Sequence, residues 1–166
     1  MTESSASPAA THAGSADRGG RRVVRHGSVS WLTHPPSGTA RVETESNAFG
    51  AMPVTLPEGD PVPNEATPGE LLAVAEAMFM AAALAEGLTR AGSPANEIVV
   101  EADCTFAGSL PERELIGLRL AVRGRVPGLD AAGFRGAVED ARRRSLRSVG
   151  VREDLPCELQ SALETL

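Results

Sequence analysis

The sequence predicts an α+β domain with the element order β-β-α-β-β-α-β, and three patterns indicate this class. Residues 71–85 form an apolar run of helical length. Residues 97–106 alternate between apolar and polar side chains, which is typical of a strand with one buried face. Residues 134–141 place apolar side chains at helical spacing. A chain of 166 residues suits one domain of ordinary size.

Two short strands are expected in the N-terminal part of the chain. Residues 1–22 are rich in Ser, Ala, Thr and Gly and contain almost no large apolar side chain, so they are expected to form a disordered tail. The folded domain then comprises residues 23–166. Residues 28–32 and 39–44 have the composition of strands, and the Pro- and Gly-rich residues 33–38 between them predict a turn.

A long connection with four prolines, residues 47–65, precedes the first predicted helix. Thr67 is the expected N-cap, Pro68 stands at the first helical position, and Glu70 follows three residues after the cap. Residues 71–85 are apolar almost all round the helix, and a helix of this kind is buried on every side. In so small a protein, this predicts a central helix wrapped by a sheet, by a partner subunit, or by both.

The second half of the chain predicts two strands, a helix and a last strand. Residues 97–106 and residues 115–126 form the two strands. Asp130 is the expected cap of the second helix, whose basic end at residues 142–144 suits the negative end of the helix dipole. Residues 155–163 alternate again, so we expect the chain to end in a strand.

Composition and charge argue against several classes of function. Only 3% of the residues are aromatic and the net charge is -6, so a nucleic-acid-binding protein is not expected. All 16 basic residues are arginine, so enzymes that form a lysine Schiff base and proteins that need the P-loop lysine are excluded.

The cysteines and the apolar segments narrow the expectations further. Cys104 and Cys157 are too few for a disulfide scaffold and match no metal-binding spacing, so neither a metal nor another cofactor is predicted. The N-terminus lacks the apolar core of a secretory signal, and residues 71–85 are shorter than the roughly 20 residues that span a bilayer. We therefore expect a soluble, cytoplasmic protein without a membrane partner.

Three segments resemble the OsmC/Ohr family of thiol-dependent hydroperoxide reductases. Residues 67–77 are similar to the family's Asn-Pro-Glu-Glu-Leu-Leu-Ala-Ala-Ala-His-Ala helix start, and residues 118–134 to its second hairpin strand and following helix. Trp31, with the turn and strand that follow it, resembles the N-terminal hairpin. The resemblance covers residues 23–166. It implies an intertwined homodimer in which curved antiparallel sheets wrap a pair of central helices, with pockets at the subunit interface.

The resemblance also implies which residues stand at the family's redox positions. Phe79 occupies the position of the peroxidatic cysteine and Ser145 that of the resolving cysteine. Gly69 stands where the family has a supporting glutamate, and Pro36 is nearest to the supporting arginine. That chemistry requires a thiolate, an arginine that lowers its pKa, and a second thiol that closes the cycle. The resemblance therefore implies the family's fold without its redox cysteines.

Glu76 and His34 are the candidate acid and base groups. Glu76 interrupts the apolar run three residues before Phe79. A carboxylate in apolar surroundings has a raised pKa and serves as a general acid or base. The alternative is that Glu76 pairs with an arginine, or faces a wet cleft, and holds the dimer in register. His34 lies in the turn where the family's site is assembled, and the alternative there is an exposed turn histidine.

A candidate ligand pocket follows from the same segment. Methionine is adaptable and lines sites that bind varied ligands, but the same side chains also fill ordinary cores. The arginines at residues 142–144 either bind an anion or end a helix in solvent. The predicted pocket residues are Met52, Met78, Phe79, Met80 and Ser145.

Three functions remain open from the sequence. The first is an OsmC-like homodimer that lacks thiol peroxidase activity and binds a small apolar molecule in a pocket at the dimer interface. This function includes non-redox chemistry on that molecule, such as cyclisation, isomerisation or hydrolysis. The second is hydroperoxide reduction through a displaced cysteine, Cys104 or Cys157. The third is a structural or regulatory dimer without a small ligand.

Overall fold

The computed structural model describes residues 24–31, 39–48, 52–55, 63–108, 112–149 and 154–164. These residues form an α+β fold, so the predicted class is confirmed. The predicted tail, His34 and Pro36 lie outside the described residues. The elements in chain order are β1 (Gly27–Trp31), β2 (Thr39–Thr44), β3 (Met52–Thr55), α1 (Pro68–Arg90), β4 (Glu97–Ala107), β5 (Glu114–Arg125), α2 (Ala131–Val149) and β6 (Cys157–Leu163).

The described strands form two three-stranded sheets. The first has the order β1-β2-β3 and is antiparallel throughout. The second has the order β4-β5-β6, in which β5 pairs antiparallel with β4 and parallel with β6. The parallel pairing follows from α2, because a crossover helix returns the chain to the same end of the sheet.

One strand was not predicted. The four residues of β3 lie within the proline-rich connection, and Pro53 within β3 concealed its strand character. Because β3 is an edge strand, proline is tolerated there although it cannot donate a backbone hydrogen bond. The Pro53 carbonyl accepts a hydrogen bond from the Ala66 backbone amide at 3.2 Å, which ties this strand to the start of α1.

Both helices begin at the predicted caps. The Thr67 hydroxyl accepts from the Glu70 amide at 3.1 Å, and the Glu70 carboxylate accepts from the Thr67 amide at 2.7 Å. This reciprocal pair is a capping box. At the start of α2, the Asp130 carboxylate accepts from the Gly133 amide at 2.7 Å. The two caps therefore fix where each helix begins.

The core forms where α1, α2 and β5 meet. One stripe of α1 packs against the apolar stripe of α2 and against β4, and buried side chains of β5 complete the same cluster. Spacings of three and four residues bring these side chains onto one side of each helix. Among the described residues, the buried apolar side chains are Met80, Leu84, Leu88, Leu118, Leu120, Val122, Val126, Phe134, Val138, Ala141 and Leu155.

The expectation that α1 is buried on every side is wrong for the single chain. Val74, Met78 and Phe79 are 52%, 65% and 45% exposed, because α2 and the second sheet cover only the opposite face. By length and composition alone, the 23 residues of α1 are enough to cross a membrane, although the run at residues 71–85 was expected to be too short. In this fold, however, its buried stripe lies in the protein core.

Candidate functional site

Glu76 is a buried carboxylic acid on the inner stripe of α1. Its side chain is 2% exposed, and its Oε1 atom has no hydrogen-bond partner. Within the described part of the chain, no arginine pairs with it. Burial alone raises its pKa above the ordinary 4.5, because a low-dielectric environment disfavours the charged form. A raised pKa is the direction expected of a carboxyl group that acts as a general acid or base.

Cys104 lies on β4 within electrostatic range of Glu76. Burial raises the pKa of the Cys104 thiol, and the negative charges of Glu76 and Asp103 raise it further. The thiolate is the nucleophilic form, so a raised pKa makes a thiol less reactive at neutral pH. Burial and the neighbouring acids therefore disfavour the thiolate form of Cys104.

The two cysteines are separated by a whole strand. Leu118 on β5 is the register partner of Cys104 on one side and of Cys157 on the other. Two interstrand spacings place the cysteines roughly 9–10 Å apart. A disulfide requires Cα atoms within about 7 Å, so these residues cannot form an intramolecular disulfide in this fold.

Ser145 faces Met80 across the interface between the two helices. The Ser145 Oγ atom lies 3.8 Å from the Met80 sulfur and 3.0 Å from the Arg142 carbonyl oxygen. Both Ser145 and Met80 are buried, so they fill the core and do not line an open pocket. Phe79, the neighbour of Met80, lies on the exposed face.

The predicted pocket residues thus fall into separate places. Met78 and Phe79 lie on the exposed face of α1, whereas Met80 and Ser145 lie in the core. Met52 begins β3 in the first sheet, away from both groups in the element order. Glu76 lies on the same stripe as Met80, one turn before it. The structure therefore brings Glu76 next to the core group.

A cavity that the sequence did not indicate lies between the start of α1 and β4. Its volume is about 330 Å³ and it reaches Cys104. The alternation of residues 97–106 was the available signal, because it places Cys104 and Phe106 on one face of the strand. The lining residues are Thr67, Gly69, Glu70, Ala73, Ala102, Asp103, Cys104, Phe106 and Arg113.

Gly69 closes this cavity against the ring of Phe106. A Cβ atom at Gly69 would lie only 2.9 Å from Phe106 Cε2, which is closer than real contacts allow. The resemblance assigns Gly69 to the position of a supporting glutamate. Since the ring occupies the space that such a side chain would need, the glutamate could be accommodated only if Phe106 moved.

Metal binding has no visible basis in the described residues. In residues 24–31, 39–48, 52–55, 63–108, 112–149 and 154–164, no group of three or more His, Cys, Asp or Glu side chains could hold an ion.

Comparisons with known proteins bear on the fold. No family model and no curated relative matches the sequence. The organic hydroperoxide resistance protein OhrB of Bacillus subtilis is 14% identical with a TM-score of 0.63, covering 84% of this chain and 98% of its own. An organic hydroperoxide resistance protein of Elizabethkingia anophelis, solved with thiocyanate bound, is 16% identical with a TM-score of 0.65, covering 87% and 99%.

A third solved structure agrees with these two. The OsmC-like protein of Mycoplasma pneumoniae is 9% identical with a TM-score of 0.65, covering 86% of this chain and 99% of its own. The relatives are matched over nearly their whole length, so the similarity concerns the complete domain. At these identities the likeness concerns the fold, and the chain has the fold of the OsmC and organic hydroperoxide resistance proteins.

Proposed function

We propose that this protein is a soluble, cytoplasmic homodimer of the OsmC fold without thiol peroxidase activity. We further propose that it binds a small apolar molecule where the two chains meet, beside the exposed face of α1. Glu76 is the acid or base for non-redox chemistry on that molecule, of the cyclisation, isomerisation or hydrolysis type. His34 is a second candidate base for the same site.

The uncovered apolar surface supports the dimer. Val74, Met78 and Phe79 form an exposed apolar face on a helix that is otherwise packed in the core. Exposed clusters of large apolar side chains mark interaction sites in soluble proteins. The first sheet supports the same conclusion, because neither helix packs extensively on it and Val29 in β1 is 63% exposed. A second copy of the chain would cover both surfaces.

The state of the thiols supports the loss of peroxidase activity. The positions that the resemblance assigns to the redox cysteines carry Phe79 and Ser145. The pKa of the Cys104 thiol is raised, and Cys104 and Cys157 lie on strands separated by β5. A displaced-cysteine cycle would need a reactive thiolate and a second thiol within reach. Neither requirement is favoured by this arrangement.

The observation that carries the catalytic part of the proposal is the unpaired burial of Glu76. A buried carboxyl group without a cation is costly, and such groups concentrate at functional sites. Glu76 lies three residues before Phe79, about one helical turn away, but its side chain is buried, so a ligand beside Phe79 must insert into the core to touch the acid. Burial raises the pKa of Glu76, which is the direction that acid–base catalysis near neutral pH requires of a carboxyl group.

The first test is peroxide consumption by the purified protein with a dithiol reductant. Hydrogen peroxide and an organic hydroperoxide are each supplied, and we expect no turnover of either. Turnover that disappears in Cys104→Ser or Cys157→Ser would contradict the proposal and establish the displaced-cysteine route.

The second test addresses the ligand. A panel of small apolar molecules is screened for an increase in the melting temperature of the wild-type dimer. We expect hits whose effect is lost in Phe79→Ala, with Thr89→Ala on the same helix as a control. For any hit that is turned over, Glu76→Gln must abolish turnover while binding persists. An unchanged rate in Glu76→Gln would remove the acid–base role, and a panel without hits would favour a structural dimer.

A further inference from the structure

A groove of about 680 Å³ runs between α2 and β6, apart from the site described above. Arg135, Val138 and Arg142 recur at spacings of three and four residues, so they face the groove from one side of α2. Leu159 and Cys157 contribute from alternate positions of β6. The groove therefore combines an apolar floor with guanidinium groups along its helical wall.

Arg142 stands out because no ion pair between described residues engages its charge. Its Nε atom is buried without a hydrogen-bond partner. Ion pairs between described residues engage Arg143, through Asp140, but neither Arg142 nor Arg135. Glu139 also lines the groove, yet it lies outside ion-pair distance of both. Because Arg143 is paired with Asp140, two arginines that lie outside the ion pairs of the described residues, Arg135 and Arg142, face one acid, Glu139, across the groove.

An unsatisfied buried donor calls for a physical explanation. Such a group costs stability, and in native proteins it is usually satisfied by a water, an ion or a ligand. Guanidinium groups bind planar oxyanions through two parallel hydrogen bonds. The apolar floor indicates that the ligand also has an apolar part, because a bare ion would leave the surface around Leu159 uncovered.

We propose that this groove binds an organic oxyanion, meaning a carboxylate or phosphate group on a short apolar chain. The oxyanion pairs with Arg142 and Arg135, and the apolar chain lies over Leu159. This site is separate from the α1 surface, so its function does not depend on the acid–base role of Glu76.

The test uses Cys157 as a reporter, because it lines the groove. The full chain with Cys104→Ser leaves a single thiol, whose alkylation by N-ethylmaleimide is followed by mass spectrometry. Hexanoate, hexyl phosphate and 1-hexanol serve as probes. We expect hexanoate or hexyl phosphate to slow alkylation at least fivefold, and 1-hexanol to require at least tenfold higher concentration for the same protection. The more effective anion identifies the head group.

Substitutions then locate the binding. Arg142→Met is expected to abolish protection by the anions, and Arg135→Gln to weaken it at least threefold. Arg144→Met is the matched control, because Arg144 lies on the same helix but contacts the Ala83 carbonyl of α1 instead. The anions should protect Cys157 in Arg144→Met as strongly as in the parent chain, which carries Cys104→Ser alone. If Arg142→Met does not fold, Arg135→Gln still tests the proposal, because Arg135 is exposed.

Three results would overturn the proposal. The first is equal protection by 1-hexanol and hexanoate, which would mean that the charge is irrelevant. The second is undiminished protection in folded Arg142→Met or in Arg135→Gln. The third is no protection of Cys157 by either anion at millimolar concentration.

Discussion

The sulfur of Met80 lies 3.8 Å from the hydroxyl oxygen of Ser145, and this contact joins the middle of α1 to the C-terminal part of α2. The resemblance assigns Ser145 to the resolving-cysteine position and Phe79 to the peroxidatic one. In this fold the residue that meets Ser145 is Met80, whereas Phe79 lies on the exposed face. A thioether and a hydroxyl cannot exchange electrons as two thiols do, so the contact is one of packing.

Replacing Phe79 with glutamate is expected to convert the proposed dimer into monomers. Burial of one phenylalanine side chain contributes about 1.5–3 kcal/mol, and a symmetric dimer buries two. Self-association should therefore weaken about 100-fold or more. Light scattering coupled to size-exclusion chromatography measures the mass. Thr89→Glu is the control. It changes an exposed position near the C-terminal end of the same helix and should leave the mass unchanged. A wild-type monomer, or a Phe79→Glu dimer, would contradict the proposed interface.

Two glycines should respond in opposite ways to alanine. A Cβ atom at Gly124 would lie 2.7 Å from two ring atoms of buried Phe134, so Gly124→Ala should lower the free energy of unfolding by about 1–3 kcal/mol. A Cβ atom at Gly136 would meet nothing within 4 Å in the middle of α2, so Gly136→Ala should raise it by about 0.5–1 kcal/mol. Urea denaturation measures both. Equal effects would show that Phe134 does not pack on Gly124.

Glu76 should make stability fall as the pH rises. Because burial raises its pKa, the folded chain keeps the proton in a window above pH 4.5 in which the unfolded chain has lost it. The free energy of unfolding therefore decreases as the pH rises through this window, and the full penalty applies above the folded-state pKa. Glu76→Gln should be more stable than wild type at pH 7–8.

The control for this prediction is the convergence of the two proteins in acid. Below pH 4.5 the carboxyl group is protonated in both states, so the stability difference between Glu76→Gln and wild type should disappear. Thermal unfolding from pH 4 to pH 8 provides the data. A difference that is constant with pH would show that Glu76 is not buried as a carboxylic acid.

The capping box of α1 should contribute measurably to stability. Thr67→Ala removes the hydroxyl that accepts from the Glu70 amide, and losses of this kind cost about 1 kcal/mol. Thr89→Ala is the matched control, because its hydroxyl donates to the Ala85 carbonyl within the helix and caps nothing. Urea denaturation should show a loss for Thr67→Ala alone. Equal losses would mean that the cap does not stabilise the helix.

The elements that local chemistry specifies were predicted well. Thr67 and Asp130 cap the two helices as expected, because a cap depends on residues within one turn of it. The alternation of residues 97–106 was also sufficient for β4. The sequence did not predict β3, because its four residues include Pro53 and its strand character depends on pairing with β2. Local patterns cannot show a pairing between distant segments.

In the candidate site too, the sequence predicted local features but not contacts between distant segments. The sequence identified Glu76 as an acid in apolar surroundings, and burial together with a raised pKa agree with this interpretation. It did not indicate that Cys104 lies within electrostatic range of Glu76, nor that Phe106 closes on Gly69. Each of these contacts joins α1 to β4, and their relative placement is a property of the packed fold.

The amino-acid sequence by itself determined the class of fold, the helix caps and the strand alternation. These features depend on residue identity and on spacing within one element. Only the tertiary structure decided which of Met78, Phe79 and Met80 enters the core. Helical periodicity places successive residues 100° apart around the helix axis. It does not give the direction from which α2 approaches. That direction, set by the packing of α1 on α2 and β4, buries Glu76 and leaves Phe79 exposed.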